Sequence, residues 1–523
     1  MSVLIVENVS HGFGDRTLFK EVSFRLQPGE HVGLVGANGT GKSTLMGLLT
    51  RQLIPDEGKI EWMPKVEYGY LDQHTKLAAG KTIRDVLKEA FLPQLELEEE
   101  IMKIAEQMAE ASPEELEQLL ERMGEIQERL ETSGFYLIDA KVDEIGNALG
   151  LDAIGMDRDV TALSGGQRTK VLLAKLLLSQ PTVLLLDEPT NYLDDEHIGW
   201  LKNYLKNYPY AFILISHDTS FMNEVVGVIY HLEFTKLTRY TGNYESFLAQ
   251  SEMKRSQHFD AYEKQQEQIS KMEDFIARNK ARASTSGRAK SRQKQLDRME
   301  RIDKPETAAK PTFIFKEARA SGRYVFEAED LEIGYSHPLM PKLTMSLERG
   351  EKVAVVGMNG VGKSTLLKTV LGIIPPLGGK LERGDFLFPA YFEQEVKPKA
   401  VTALDDMWND FPHLNNHEVR AALARCGLTN DHINRSMAAL SGGEQAKVRL
   451  CKLLQRESNW LIFDEPTNHL DVVAKEELKR ALIAFKGTVL LVCHEPEFYQ
   501  DWVTRVWNVE EWANQSAKSA MRV

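Results

Sequence analysis

The chain has 523 residues, 42% hydrophobic and 27% charged, with a formal net charge of -13 at pH 7. That length predicts two or more domains, each with its own core, and the composition is that of ordinary globular protein. No apolar run approaches the roughly eighteen residues of a membrane span, and the acidic balance excludes a general nucleic-acid coat, leaving only local contact. Cys426, Cys451 and Cys493 lack metal-ligand spacing and read as buried thiols of a reducing compartment.

The N-terminal stretch MSVLIVENVSHGFG alternates like a first strand and lacks the basic and apolar regions of a signal peptide. An apolar strand over 31–35 then leads into GANGTGKST at 36–44, which opens a helix. A GxxxxGKST in that context is a phosphate-binding loop. Gly36, Asn38, Gly39, Gly41, Lys42, Ser43 and Thr44 form it, with glycines letting backbone N–H groups close around phosphate. Lys42 is placed to reach the β- and γ-phosphates of ATP, and Ser43 to ligate Mg²⁺. Gln73 follows, in YLDQ, able to touch both metal and water.

A stretch of about residues 92–134 then reads as an antiparallel helical arm. Leu97, Ile101, Ile104 and Met108 make one seam; Leu116, Leu119, Met123, Ile126 and Leu130 make the other. Between them Ser112 can cap a new helix, with Pro113 in its first position and Glu115 closing a capping box. The outer faces are almost wholly charged and glutamate-rich, which points to an outward arm that meets protein or a basic surface.

Beyond the arm come LSGGQ (Ser164, Gly165, Gly166, Gln167), an aliphatic strand ending on Asp187-Glu188, and ILISHD with His217. Asp187 can face the Mg²⁺ shell, Glu188 can polarise the attacking water, and His217 can reach the γ-phosphate or hold that water.

All of this recurs. Gly357, Asn359, Gly360, Gly362, Lys363, Ser364 and Thr365 repeat the loop. Gln394 repeats Gln73, Ser441-Gly442-Gly443-Glu444 repeats LSGGQ, Asp464-Glu465 repeats the acidic pair, and His494 repeats His217. The loop and glutamine copies are 321 residues apart, but the later motifs are 277 apart. The first copy therefore holds 44 more residues in one interval, which the arm accounts for. A duplicated α/β domain with one insertion follows: residues 1–240 as the first, 307–523 as the second. Each residue of the second set is expected to do the work of its counterpart in the first.

Between the copies, 241–306 reads as a helical hairpin. Tyr262, Ile269, Met272 and Ile276 mark one stripe, Leu296, Met299 and Ile302 the other, with a small-residue turn at 283–287. A helix over about 251–282 would be roughly 48 Å long. Its tip carries Arg278, Lys280, Arg282, Arg288, Lys290, Arg292 and Lys294 without one acidic residue across 278–294. Such a tip can neutralise RNA phosphates without reading sequence.

P-loop, glutamine, LSGGQ, DEPTNxLD and histidine in this order resemble the ATP-binding cassette superfamily. The resemblance implies a fold of two P-loop cassettes in tandem that pair head to tail within a monomer. The signature of one cassette, Ser441, Gly442 and Gly443, or Ser164, Gly165 and Gly166, would close over the ATP of the other. It also places Phe13 and Tyr335 where an aromatic stacks on adenine. Both sites keep every catalytic residue type, so hydrolysis of ATP is expected at each. Two departures, Glu444 for glutamine and Glu495-Pro496 after His494, could make the sites unequal.

Twin cassettes, an arm in the first only and a charged helical linker resemble the ABC-F proteins, and this covers essentially the whole chain. The resemblance implies a cytoplasmic, ribosome-associated ATPase with no membrane partner. Its linker would contact tRNA and ribosomal RNA, its arm a ribosomal protein, and its role would be translation support or protection from antibiotics. The short linker turn favours translation support. The alternative is the cytosolic ATPase subunit of a membrane transporter, which needs neither a 44-residue arm nor a basic hairpin.

Overall fold

Buried aliphatic runs set the two central sheets. A computed structural model describes residues 2–14, 16–71, 77–109, 111–191, 193–279, 286–299, 310–393, 399–468, 470–509 and 511–512. In the first domain, strands Tyr68–Tyr70, Val183–Asp187, Ala211–Ile215, His31–Val35 and Val228–Glu233 lie side by side in that order, all parallel. Strands buried on both faces read as near-continuous Val, Ile and Leu, as VLLLD and AFILI do here. Lys236–Thr241 closes the sheet as a sixth, antiparallel strand. The second domain repeats the parallel part: Pro389–Phe392, Trp460–Asp464, Thr488–Val492, Lys352–Val356 and Arg505–Asn508. Each domain adds a three-stranded antiparallel sheet, built on Leu4–Phe13 in the first and Tyr324–Glu332 in the second.

Parallel strands all end on one edge, and that edge gathers the motifs. The register pairs Asp187 with Ile215, two residues before His217, and Asp464 with Val492, two before His494. In each domain the glycine loop leaves that edge of its own sheet, after Val35 and after Val356. The two domains are thus the duplicated α/β domains that the repeat predicts.

The arm is two helices, Leu92–Met108 and Pro113–Ser133. Ser112 N–H donates to Glu115 Oε2 at 2.9 Å and Glu115 N–H donates back to Ser112 Oγ at 3.5 Å, the capping box read from the sequence. Gly134, in the left-handed region, ends the second helix. Ile104, Ile126 and Leu130 are buried between the helices, with Leu97, Ile101, Met108, Leu119 and Met123 packed around them.

The linker's first helix is longer than its apolar stripe suggests, running Tyr244–Asn279, and it is joined to the first cassette's core. Tyr244 and Phe247 are buried in that core beside Tyr240. Glu245 N–H donates to Asn223 Oδ1 at 3.0 Å and Ser246 N–H to Asn243 Oδ1 at 3.1 Å, which fixes the first turn. The second helix is Ser286–Asp297. Its start corrects the reading of Ser286 and Gly287 as turn: a small residue and a glycine are tolerated at a helix's first positions, where N–H groups lack intrahelical acceptors. Ile269, Ile276 and Leu296 pack between the two helices with Met272 and Met299; Ile302 falls outside the described residues. The three cysteines are free and buried. No helix among the described residues is long and apolar enough to cross a membrane.

Candidate nucleotide sites and their relatives

The glycine loops at 36–44 and 357–365 are built alike. Gly41 and Gly362 both stand at φ 103°, and each precedes a helix, Lys42–Leu49 or Lys363–Leu371, with no side-chain cap. First-turn N–H groups thereby face the loop, as an anion site requires. A Cβ on Gly41 would lie 2.8 Å from Phe19 Cζ, so both conformation and packing demand glycine. Lys42 Nζ donates to the Gly36 and Ala37 carbonyls at 2.8 and 3.2 Å. Lys363 Nζ does the same to Gly357 and Met358 at 2.6 and 2.8 Å, and lies 3.0 Å from His494 Nε2. Burial lowers both lysines, Lys363 to about 8, while the carboxylates around each loop work against it.

The acidic pairs sit beside these loops. Burial raises Asp187 and Asp464, the latter to about 6, while Ser43 and Ser364 hydrogen-bond to them and pull the other way. Asp464 is 1% exposed and its Oδ1 has no hydrogen-bond partner among the described residues. An orphaned carboxylate oxygen beside a serine hydroxyl fits a divalent cation with oxygen ligands. Tyr391 Oη donates to the other oxygen, Oδ2, at 3.3 Å.

Glu188 and Glu465 differ in setting. Glu188 Oε2 accepts from His217 N–H at 3.2 Å, and its Oε1, 3.6 Å from His217 Nε2, has no hydrogen-bond partner among the described residues. Burial, then the Asp187 charge, push it well above the usual carboxylate range. Glu465 Oε1 lies 3.3 Å from His494 Nε2, and Oε2 accepts from Asn468 Nδ2 at 2.6 Å. Burial pushes this carboxyl up as well, but His494, Lys363 and Asn468 more than offset it and hold it low.

The signatures start helices. Ser164 caps Gly165–Ser179 in a box with Gln167, and Ser441 caps Gly442–Gln455 in the same box with Glu444. The glutamate thus does the glutamine's capping work: Ser441 N–H donates to Glu444 Oε2 at 2.9 Å, while Oε1 lies 3.2 Å from His432 Nε2. Phe13 and Tyr335 stand out at 53% and 68% exposed, so neither ring belongs to a core. Gln73 and Gln394 lie outside the described residues. Sequence reasoning passed over Asn468, Tyr391 and Lys475. Asn468 sits inside the repeated DEPTN motif and Tyr391 opens the repeat of YLDQ, so both could have been found there; Lys475 carries no comparable signal.

The cassettes face one another. Lys475 Nζ, in the second, donates to the backbone oxygen of His217, in the first, at 3.2 Å. Lys42 feels the charges of Asp471 and of Lys447 on the second signature helix, and Lys363 feels Asp194 and Asp195 of the first cassette.

A sequence profile described as ABC transporter matches residues 19–191 and again 340–468, and a second of the same description matches 230–315. A protein of Arabidopsis thaliana named ABC transporter F family member 5 is 35% identical over 97% of this chain and 75% of its own length. The chain belongs to the ABC-F family. Another relative of this ABC-F chain is the uncharacterized ABC transporter ATP-binding protein YfmM of Bacillus subtilis, 57% identical over 98% of this chain and the whole of that one. Among solved structures, an archaeal ribosome recycling factor in complex with ribosomal stalk protein aligns with a TM-score of 0.57 at 19% identity, covering 96% of this chain and 87% of that one. At that identity the likeness shows the fold: tandem cassettes. As a member of this family the chain is an ATP-binding ABC ATPase.

Proposed function

We propose that this ABC-F protein is a cytoplasmic, ribosome-associated ATPase whose linker docks on RNA when its cassettes are closed. The observation that carries the reading is the basic linker tip on an acidic chain. Arg278, Arg292 and Lys294 are exposed there, and Arg288 and Lys290 lie on the same short helix as the last two; Lys280 and Arg282 lie outside the described residues. Exposed cations at the end of a long helix can bind phosphates of ribosomal RNA or tRNA. The glutamate-rich arm suits a basic ribosomal protein.

ATP supplies the phosphoanhydride bond and Mg²⁺ shields its phosphate charge. The loop glycines and helix N-termini hold phosphate through backbone N–H groups, and Lys42 and Lys363 grip the outer phosphates. Ser43 with Asp187, and Ser364 with Asp464, hold the cation, with Gln73 and Gln394 beside them. Glu188 and Glu465 orient water and accept its proton, and His217 and His494 fix the carboxylates. Phe13 and Tyr335 take the adenine. Ser441, Gly442 and Gly443 complete the first site and Ser164, Gly165 and Gly166 the second, which makes ATP the tie between cassettes and hydrolysis the release. The outcome is modulated translation, with antibiotic protection the narrower form.

The test is co-sedimentation with ribosomes of a Glu188→Gln, Glu465→Gln double variant. ATP-dependent ribosome binding is expected. Membrane association with no ribosome binding would replace this reading with that of a transporter subunit.

A further inference from the structure

We infer that Lys475 is a positioning residue for the first nucleotide site, acting from the opposite cassette, and that the second site has no equivalent of it. The inference rests on Glu188 being the base of that site.

Lys475 lies in the first turn of helix Val472–Ala484, which Asp471 caps. Its side chain is buried, with Nζ 2.7 Å from Glu495 Oε1 of its own cassette. The same nitrogen donates to the His217 backbone oxygen at 3.2 Å. His217 in turn donates its N–H to Glu188 Oε2 at 3.2 Å. Glu495, Lys475, His217 and Glu188 thus form one connected path across the boundary between cassettes. The ammonium holds the histidine's main chain from one side while the glutamate accepts from the other. A charge-assisted bond of this kind is stronger than a neutral one and directional. Its charge also reaches Glu188 and Asp218 through space.

The repeat offers an internal control. A shift of 277 residues carries Lys475 onto Ile198, which has no charge to offer the second site. The same shift carries Val472 onto Asp195, and the Asp195 carboxylate acts on His494 and Lys363 of the second site. Asp471 and Asp194 act alike on Lys42 and Lys363, so at these two further positions the first site gains a cation from across the boundary and the second an extra anion. The glutamate after His494 has its use here: where Asp218 accepts from Phe221 N–H to start a helix, Glu495 makes no such cap and holds Lys475. Closure sets the first site's base through Lys475, so the two sites hydrolyse ATP under different control.

The experiment isolates each site. In a Glu465→Gln background, where the first site alone turns over, Lys475→Met is expected to lower kcat about tenfold with KM for ATP changed less than about twofold. Lys475→Arg should recover most of the loss, since a guanidinium can still donate. In a Glu188→Gln background, Lys475→Met should change kcat less than about twofold. ATP-driven closure, read as the distance between spin labels on the two cassettes, should be unchanged by Lys475→Met. Equal losses in both backgrounds, loss of closure, or no loss in the first background would overturn the inference. Wild-type turnover in the double-glutamine parent would instead remove the assignment of the glutamates on which it stands.

Discussion

Glu188 and Glu465 hold the same left-handed backbone, at φ 51° and 48°, although neither is glycine. Each main-chain N–H is tied to the neighbouring strand, Glu188 to Ile215 O and Glu465 to Val492 O, both at 2.9 Å. Such a conformation costs about 1–3 kcal/mol and persists only when its surroundings enforce it. Here it turns the carboxylate off the strand axis toward the histidine loop. Glutamine has the same backbone demands, so Glu188→Gln with Glu465→Gln should fold normally. Loss of the base should cut kcat by about 100-fold or more, while ATP still binds and holds the cassettes together. Steady-state ATPase assays beside nucleotide-binding measurements check this.

Gly41→Ala should impair the first site alone. The new methyl meets Phe19 in a backbone already at φ 103°. We expect about 1–3 kcal/mol of local strain and at least a roughly tenfold loss of ATP affinity there, equivalent to 1.4 kcal/mol. Titration with a fluorescent ATP analogue, on variants with either lysine removed, would resolve the sites.

His231 should make the linker's root sensitive to acid. It packs against Phe247 at a centroid distance of 5.1 Å, and burial pushes its pKa down to about 4. The unfolded chain, with an ordinary value of 6.5, takes the proton first. The stabilisation is therefore full above pH 6.5 and declines as pH falls toward 4, by about 3 kcal/mol in all. His231→Phe should flatten that part of the profile, as seen by denaturant unfolding between pH 7 and 4.

Neutralising Arg278, Lys280, Arg282, Arg288, Lys290, Arg292 and Lys294 should leave basal ATPase intact. Ribosome binding should weaken, and its dependence on salt should become shallower, by roughly one unit of log–log slope for each phosphate that is no longer neutralised. Unchanged binding across a salt series would make the linker a spacer.

Ser112→Ala should cost about 1 kcal/mol of arm stability. The loss should appear as faster hydrogen exchange through Pro113–Ser133, with ATPase activity unchanged.

The cassettes and the arm were legible because their signals are local. A glycine loop after an aliphatic strand, a Ser-Pro-Glu-Glu cap and a seam of 4-3-4 spacing each specify one geometry within a dozen residues. The tip's turn was less legible: Ser286 and Gly287 suit a loop and a helix start equally, and the pairing across the hairpin decides between them. That the cassettes pair was implied by the resemblance, but the individual side-chain contacts between them were not legible. Lys475 looks in sequence like one more cation on an amphipathic helix, and only the apposition of two separately folded domains makes it a neighbour of His217. The two sequence departures resolved differently: Glu444 reproduces the glutamine's cap, whereas Glu495 takes a new partner.

The linker's first helix leaves the antiparallel edge strand Lys236–Thr241 through Gly242 and Asn243 and keeps Tyr244 and Phe247 inside the first cassette. With its root fixed there, the helix behaves as a lever rather than a tether. Thirty-six residues span about 54 Å. A tilt of about 5° in the cassette that bears it would sweep the far end through about 5 Å, close to one helical pitch. A small rotation of one cassette would thereby become a displacement of about one helical turn at the far end of the linker.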